Sequence, residues 1–244
     1  RAQMPTISGQ PTISFAGSSN LDTARRTVAP GGLLTITGSN LMKVPGEPSA
    51  SIPADMLPTN YNGTTVSVGG SAAPLLVAGR ENLVVHVPSN IATGDQDVIV
   101  RTPIGATSPT RVPVSTVAPA IFFTDAGGIF LKNADFSLVT ASNAARAGDI
   151  ILVYSTGLPA ASSMTSGQIV PLGQSDNPVF TSTVPVRVTV GSRDARVIYS
   201  ILSPGFVGLS QTAFVVPEGV TAGAQPVVIT AGSTASNSVD MRVQ

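Results

Sequence analysis

Several blocks of this chain occur twice, in the same order, and the duplication limits its fold more than any other feature. Pro30-Gly31-Gly32-Leu33-Leu34-Thr35-Ile36-Thr37-Gly38-Ser39-Asn40-Leu41 is echoed by Ala147-Gly148-Asp149-Ile150-Ile151-Leu152-Val153-Tyr154-Ser155-Thr156-Gly157-Leu158. Val66-Ser67-Val68-Gly69-Gly70 returns as Val188-Thr189-Val190-Gly191-Ser192. The run from Val87-Pro88 to Gly94 returns as Val216-Pro217 to Gly223, and a Val/Ile strand follows each. Ser108–Val114 parallels Asn237–Val243. The separation between copies grows from 117 to 129 residues along the chain, so the second copy carries insertions. The repeat divides the 244 residues near Val117-Ala118-Pro119. It predicts residues 1–27 as an N-terminal extension with the first strand, 28–117 as one domain and 118–244 as another of the same type.

Each copy reads as β structure. Leu33–Thr37, Thr65–Val68, Leu83–Val87 and Val98–Arg101 carry the Val, Ile, Thr and Leu of strands. So do Ile150–Tyr154, Val184–Val190, Gln211–Val216 and Val227–Thr230. Branched side chains are stiff at Cβ and fit a pleated surface. Pro30-Gly31, Asn62-Gly63 and Gly69-Gly70 punctuate them as turns. Pro88 and Pro217 lack an N–H for a ladder, so each ends its strand, while Gly38 and Gly157 read as breaks after the opening strand. Many short strands with such turns predict an all-β chain of two tandem β-sandwiches. The best helix candidate, Ala134–Ala145, is full of Ser and Asn and reads equally as a single turn or an irregular bridge.

Composition removes whole classes of function. Thirteen cationic and thirteen acidic residues balance, with Lys43 and Lys132 the only lysines. Nucleic-acid binding needs clustered positive charge, so it is not expected. No apolar run is long enough to span a bilayer as a helix. With zero cysteines, disulfides, thiol catalysis and Cys-type metal sites are excluded. The chain begins at Arg1 rather than Met and reads as a mature, exported form, extracellular or on a bacterial cell surface, with a domain cut from a longer protein as the alternative.

The residues offer little chemistry. His86 is the only histidine, in the strand Leu83–Val87, and no G-x-S-x-G elbow supplies a nucleophile. It reads as a strand histidine on a partly solvated face, whose removal would cost under about 1 kcal/mol. Asp95 and Asp97 are the one acidic pair with a calcium-like spacing, but they follow a turn glycine, where Asp is common. Phosphate-binding glycine loops are absent. Tyr154 and Tyr199 read as core, leaving Tyr61 as the one exposed ring for sugar stacking. No catalytic residue, metal or cofactor is expected, and the chain is expected not to be an enzyme.

The N-terminus stands apart. Residues 2–21 hold no charge and contain a near-duplicate, Pro5-Thr6-Ile7-Ser8 and Pro11-Thr12-Ile13-Ser14, followed by Phe15. Period-two alternation puts Ile13 and Phe15 on one face, with Ile7 equivalent. One copy should be the first strand of the first domain. The spare one could either continue a bent edge strand or pair with a neighbouring molecule, with Ile7, Ile13 and Phe15 as anchors. Strand donation of this kind builds head-to-tail polymers.

The strand ending Thr37-Gly38-Ser39-Asn40-Leu41, the following Val66-Ser67-Val68-Gly69-Gly70 and the later Val87-Pro88 to Gly94 resemble the IPT/TIG class of immunoglobulin-like domains. Over Ala29–Leu41, Leu57–Pro88, Ala118–Phe122, Ala145–Leu158 and Ser203–Val243 the chain is similar to a C-terminal domain family abundant in Acidobacteria such as Solibacter. Pro204-Gly205-Phe206-Val207-Gly208-Leu209 followed by Gln211 is its most specific string, and Asn82 departs from it where Gln is expected. The resemblance implies two immunoglobulin-like domains on secreted or surface proteins, with no established activity. The expected function is therefore a non-enzymatic, exported structural or adhesive module, with strand-donated homo-oligomers or polymers as its sharper form. The alternative is an accessory module that binds a surface polysaccharide or protein within a larger secreted protein.

Overall fold

The structure is a computed structural model and describes residues 9–18, 25–42, 56–124, 127–160, 164–173 and 177–244. In the N-terminal half the strands are β1 (Thr12–Ser18), β2 (Leu33–Ser39), β3 (Asn60–Tyr61), β4 (Thr64–Val68) and β5 (Ser71–Ala73). They continue as β6 (Leu75–Ala78), β7 (Asn82–His86), β8 (Gly94–Thr102), β9 (Gly105–Ala106) and β10 (Thr110–Val114). One sheet runs β1-β2-β7-β6 and the other β10-β8-β4-β3, with β5 on β4 and β9 on β8. Leu34, Ile36, Leu83 and Val85 from the first sheet meet Val66, Val68, Val98 and Val100 from the second in a closed core. The alternation in each strand decides which residues enter it.

The C-terminal half repeats this plan. Its strands are β11 (Ala120–Ile121), β12 (Phe123–Thr124), β13 (Gly127–Gly128), β14 (Phe130–Lys132), β15 (Ile150–Thr156) and β16 (Val186–Val190). They end with β17 (Arg193–Leu202), β18 (Ser210–Val215), β19 (Gly223–Ala231), β20 (Thr234–Ala235) and β21 (Val239–Val243). A second, separate core joins Ile151, Val153 and Phe214 to Val188, Val190, Val227 and Ile229. Among the described residues the only helical element is a 3-10 turn at Pro178–Phe180, and the fold is all-β and immunoglobulin-like.

Individual hydrogen bonds recur between the halves. Gly31 N–H donates to Val87 C=O and Val87 N–H to Gly32 C=O; Gly148, Val216 and Asp149 make the same two bonds. The Val-Pro turns therefore occupy equivalent places. Thr107 accepts Val100 N–H on its hydroxyl at 3.1 Å, and Ser236 accepts Ile229 N–H at 2.9 Å. A register shift falls between Leu75 and Val77 in β6 and between Val197 and Tyr199 in β17. The halves differ at Pro74, which has no N–H and separates β5 from β6. Arg196 stands in its place in the second copy, and β17 runs unbroken from one sheet into the other.

The structure corrects two local expectations and decides a third that the sequence left open. First, Thr12–Ser18 belongs to the N-terminal sandwich, antiparallel to β2, and a bulge at Ser14 puts Ile13 opposite Gly38 but Phe15 opposite Thr37. Ile13 and Phe15 thus point to opposite faces. Ile13 packs against the core, while Phe15 lies over Gly17 with the Arg26 guanidinium 5.7 Å from its ring centroid. In the C-terminal half the same position holds a whole hairpin, β12-β13, between β11 and β14. Second, Gly38 does not break β2. It lies within the strand, where a side chain would collide with Thr12 C=O. The break comes at Asn40, whose φ of 53° matches the 78° of Gly157; Asn tolerates this left-handed region better than most residues. Third, Ala134–Ala145 forms turns and a bridge, not a helix. Asn143 donates to Ser137 Oγ and Leu138 C=O, local bonds that compete with helical ones.

Because the recurring hydroxyl satisfies a buried backbone N–H, its loss leaves that donor stranded. Thr107→Val and Ser236→Ala should each lower stability by about 1–3 kcal/mol. Urea unfolding followed by amide exchange should place each loss in its own half of the chain.

Candidate functional site

His86 ends β7, and in its strand it faces away from the N-terminal core, paired with Leu33. The alternation that sends Val85 inward sends His86 outward. It nevertheless is buried, with 7% of its surface exposed, because the C-terminal half covers it. Gly167 N–H donates to Nδ1 at 3.0 Å, so that nitrogen is unprotonated and the proton sits on Nε2. Nε2 in turn donates to Gly31 C=O at 3.0 Å. The expected half-solvated histidine is thus a buried, fully bonded link between the two sandwiches. Its neighbours Gly31, Leu33, Ser166, Gly167, Gln168 and Gly208 carry no charge. Burial pushes its pKa down to about 4, partly offset by the Gly31 bond.

Further bonds extend this seam. Leu33 N–H donates to Thr156 Oγ1 at 2.8 Å, and that hydroxyl donates to Gly208 C=O at 2.9 Å. Ser89 N–H donates to Ser166 Oγ at 3.0 Å, and the two hydroxyls are 3.1 Å apart. Leu57 N–H donates to Gly167 C=O, and Met56 bridges Gln168. Elsewhere Arg25 donates to Pro119 C=O and Ala235 C=O. Gly208, with φ of 67°, lies flat on Leu33 and His86; a Cβ there would stand 2.8 Å from Leu33 and 3.1 Å from His86. The seam is backbone laid against backbone. The C-terminal contribution comes from the insertion after β15 and from the Pro204–Leu209 string. In the sequence that string stands out only as the most specific part of the family resemblance, and nothing in it announces a partner.

Beside His86 the seam opens into a pocket of about 330 Å³, walled by Pro30, Leu158, Met164, Gln168, Val170 and Leu202 among others. Next to it Leu172 and Phe206 stand 79% and 53% exposed on two loops joined by Val170 N–H to Phe206 C=O and Gly205 N–H to Val170 C=O.

The other singled-out residues fall away from this seam. Asp95 and Asp97 are exposed in β8, and Asp97 pairs loosely with Arg111 at 3.6 Å. Among the described residues no three His, Asp or Glu side chains gather as a metal site. Tyr61 packs against the N-terminal core rather than standing out as a platform. Tyr154 and Tyr199 are not core: they are half-buried on the outer face of the β15-β18-β17 sheet, where Gln211 donates to Tyr199 Oη at 2.8 Å. Burial and the neighbouring Tyr199 push the Tyr154 phenol up. In the first half Asn82 takes the place of Gln211 and Val77 that of Tyr199, so this bond has no counterpart. Ile13 and Phe15 serve their own sheet, and Ile7 lies outside the described residues.

The IPT/TIG domain matches residues 18–127 of the chain. No curated protein matches it. Among solved structures it is similar to SGBP-B of a Bacteroides ovatus mixed-linkage glucan utilization locus, in complex with a mixed-linkage heptasaccharide. Identity is 13% and the TM-score 0.37, over 90% of this chain and 44% of that one. It is similar to SGBP-B from a Bacteroides uniformis xyloglucan utilization locus at 13% identity and TM-score 0.29, over 96% and 49% of the two chains. Domains 5–6 of the S-layer protein SbsC follow at 14% identity and TM-score 0.30, over 96% and 98%. The chain spans less than half the length of either SGBP-B.

His86→Ala should cost about 3 kcal/mol rather than the small change of a surface site, because Gly167 N–H and Gly31 C=O lose their partner inside the seam. The pH dependence has a definite sign. Folded His86 titrates near 4 and unfolded near 6.5, so the folded chain binds fewer protons between them. Its contribution is fully present above pH 6.5 and is lost as pH falls toward 4, by about 3 kcal/mol. Unfolding free energies of wild type and His86→Gln, measured from pH 7.5 to 4, should converge by that amount, since carboxylate titration is common to both.

Proposed function

We propose that the chain is a non-enzymatic, exported structural or adhesive module in which two immunoglobulin-like sandwiches act as one stiff arm. The observation that carries this is the seam. His86 there has both ring nitrogens bonded to backbone, and the described residues packed around it are neutral. An acid–base catalyst needs a free nitrogen within reach of a substrate proton, and here both are committed to holding the halves together. A contact that fixes the angle between domains suits a part that transmits position or force, because tandem domains otherwise move relative to each other.

The assembly expected of Ile7, Ile13 and Phe15 is narrowed by the fold. Ile13 and Phe15 are used within their own sheet, so donation to a neighbouring molecule would fall to the stretch before Gly9. The accessory-binding alternative is favoured by one observation, the paired exposed side chains of Leu172 and Phe206, which suit an apolar protein surface better than a sugar.

Small-angle scattering of the pure chain at pH 7.5 should fit one rigid particle, and Gly208→Ala should broaden its distance distribution while both sandwiches stay folded. A wild-type profile that requires a spread of inter-domain angles overturns the stiff-arm reading. Deleting residues 1–8 should abolish any self-association seen by sizing; assembly that survives the deletion rules out strand donation.

A further inference from the structure

The seam pocket has features that a mere packing gap between two sandwiches would lack. Its walls come from both halves: Pro30, Gly31, His86 and Ser89 from one side, and the Leu158–Ala160, Met164–Val170, Leu202 and Gly208 segments from the other. Several of these walls are pinned by bonds that do not involve the pocket's contents. Gly31 is tied to His86, Gly208 to Thr156 and Ser89 to Ser166, and Gly167, next to the lining residue Gln168, is held by His86. The cavity is therefore preformed, and its volume of about 330 Å³ stands at the low end for small-molecule sites.

The lining also states a chemistry. Among the described residues no Asp, Glu, Lys or Arg contributes to it, and the one ionisable member, His86, is held neutral with both nitrogens occupied. An ion entering would lose its water without gaining a counter-charge. Pro30, Leu158, Pro159, Met164, Val170 and Leu202 supply apolar wall, and among the described residues no Phe, Tyr or Trp ring lines it to stack on a sugar. Gln168 is the polar exception. Its Oε1 accepts Thr165 N–H at 3.2 Å, which orients the carboxamide, and among the described residues no hydrogen bond engages its Nε2. That leaves donors for one acceptor on a guest.

We propose that this seam pocket is a binding site for a small, uncharged, largely apolar molecule carrying one hydrogen-bond acceptor, such as a ketone or ester carbonyl, received by the Gln168 amide. The guest touches both sandwiches, so its binding and the closure of the seam reinforce each other. This holds whether or not the chain also serves as a structural arm.

The test uses the full chain at pH 7.5 and two molecules of nearly equal shape, neutral acetophenone and anionic benzoate, with two-dimensional 1H–15N spectra as the readout. Acetophenone should shift the Gln168 side-chain amide and the Gly167 and Gly208 backbone amides saturably, at a single site, with benzoate at least tenfold weaker. Ala160→Trp, which fills the pocket from its rim, should abolish the response while the spectrum stays dispersed. Gln168→Leu should weaken acetophenone about fivefold or more but leave the carbonyl-free probe toluene unchanged. The proposal is overturned if acetophenone gives no saturable shift at these amides, if benzoate binds equally well, or if Gln168→Leu leaves acetophenone affinity intact. Should Ala160→Trp fail to fold, the charge comparison and the Gln168→Leu pair decide the matter alone.

Discussion

One neutral imidazole holds two backbones together in this protein. His86 takes an N–H from Gly167 on one nitrogen and gives its proton to Gly31 on the other, and only the uncharged ring can do both. The rest of the seam follows from that geometry. For the ring to reach both carbonyl and amide, main chain must approach main chain without side chains between them. Glycines stand where that approach is tightest: Gly32 against Thr156 and Gly157, Gly167 against Pro74, Gly208 against Leu33 and His86. Because the described residues packed around the ring carry no charge, what the link responds to is acid.

The duplication supplies the scaffold, and its departures supply the seam. The two halves keep the same ladders, the same turn bonds around Val87 and Val216, and the same hydroxyl-to-backbone bond at Thr107 and Ser236. What differs lies between and at the ends of strands. The insertion after β15 keeps Leu158 in its own core and bridges its own sheet at Thr181, and between these anchors it carries Ser166 and Gly167 to the N-terminal half. The single-residue bulge of β1 becomes a hairpin in the second copy. Strand interiors resist such change because every added residue reverses the faces beyond it; loops between strands do not.

His86 shows how a correct local reading can mislead. The pattern of Leu83–Val87 placed it on the outward face, and it is on the outward face of its own sheet. An outward residue is solvated only if nothing covers it, and the covering segment is 81 residues away in sequence. The same holds in reverse for Tyr154 and Tyr199, whose apolar strands suggested burial. Each sits on the outer face of its sheet, Tyr154 opposite Gln211 and Tyr199 opposite Ala213, rather than entering the core. For Phe15, one bulged residue was enough to exchange faces.

The sequence by itself determined that the chain is β throughout, that the plan is laid down twice, where most strands and turns fall, and which alternate residues build each core. These are local matters: branched side chains stiffen strands, Pro and Gly end them, and a period of two sorts the faces. Which outward residues remain outward was decided by tertiary structure alone. Burial of His86, the tautomer it holds, its lowered pKa and the pocket beside it all depend on a loop from the other half arriving within hydrogen-bond reach. No spacing along the chain encodes that arrival, because it depends on how two finished sandwiches pack, and the free energy of that contact is shared among backbone groups that every residue carries.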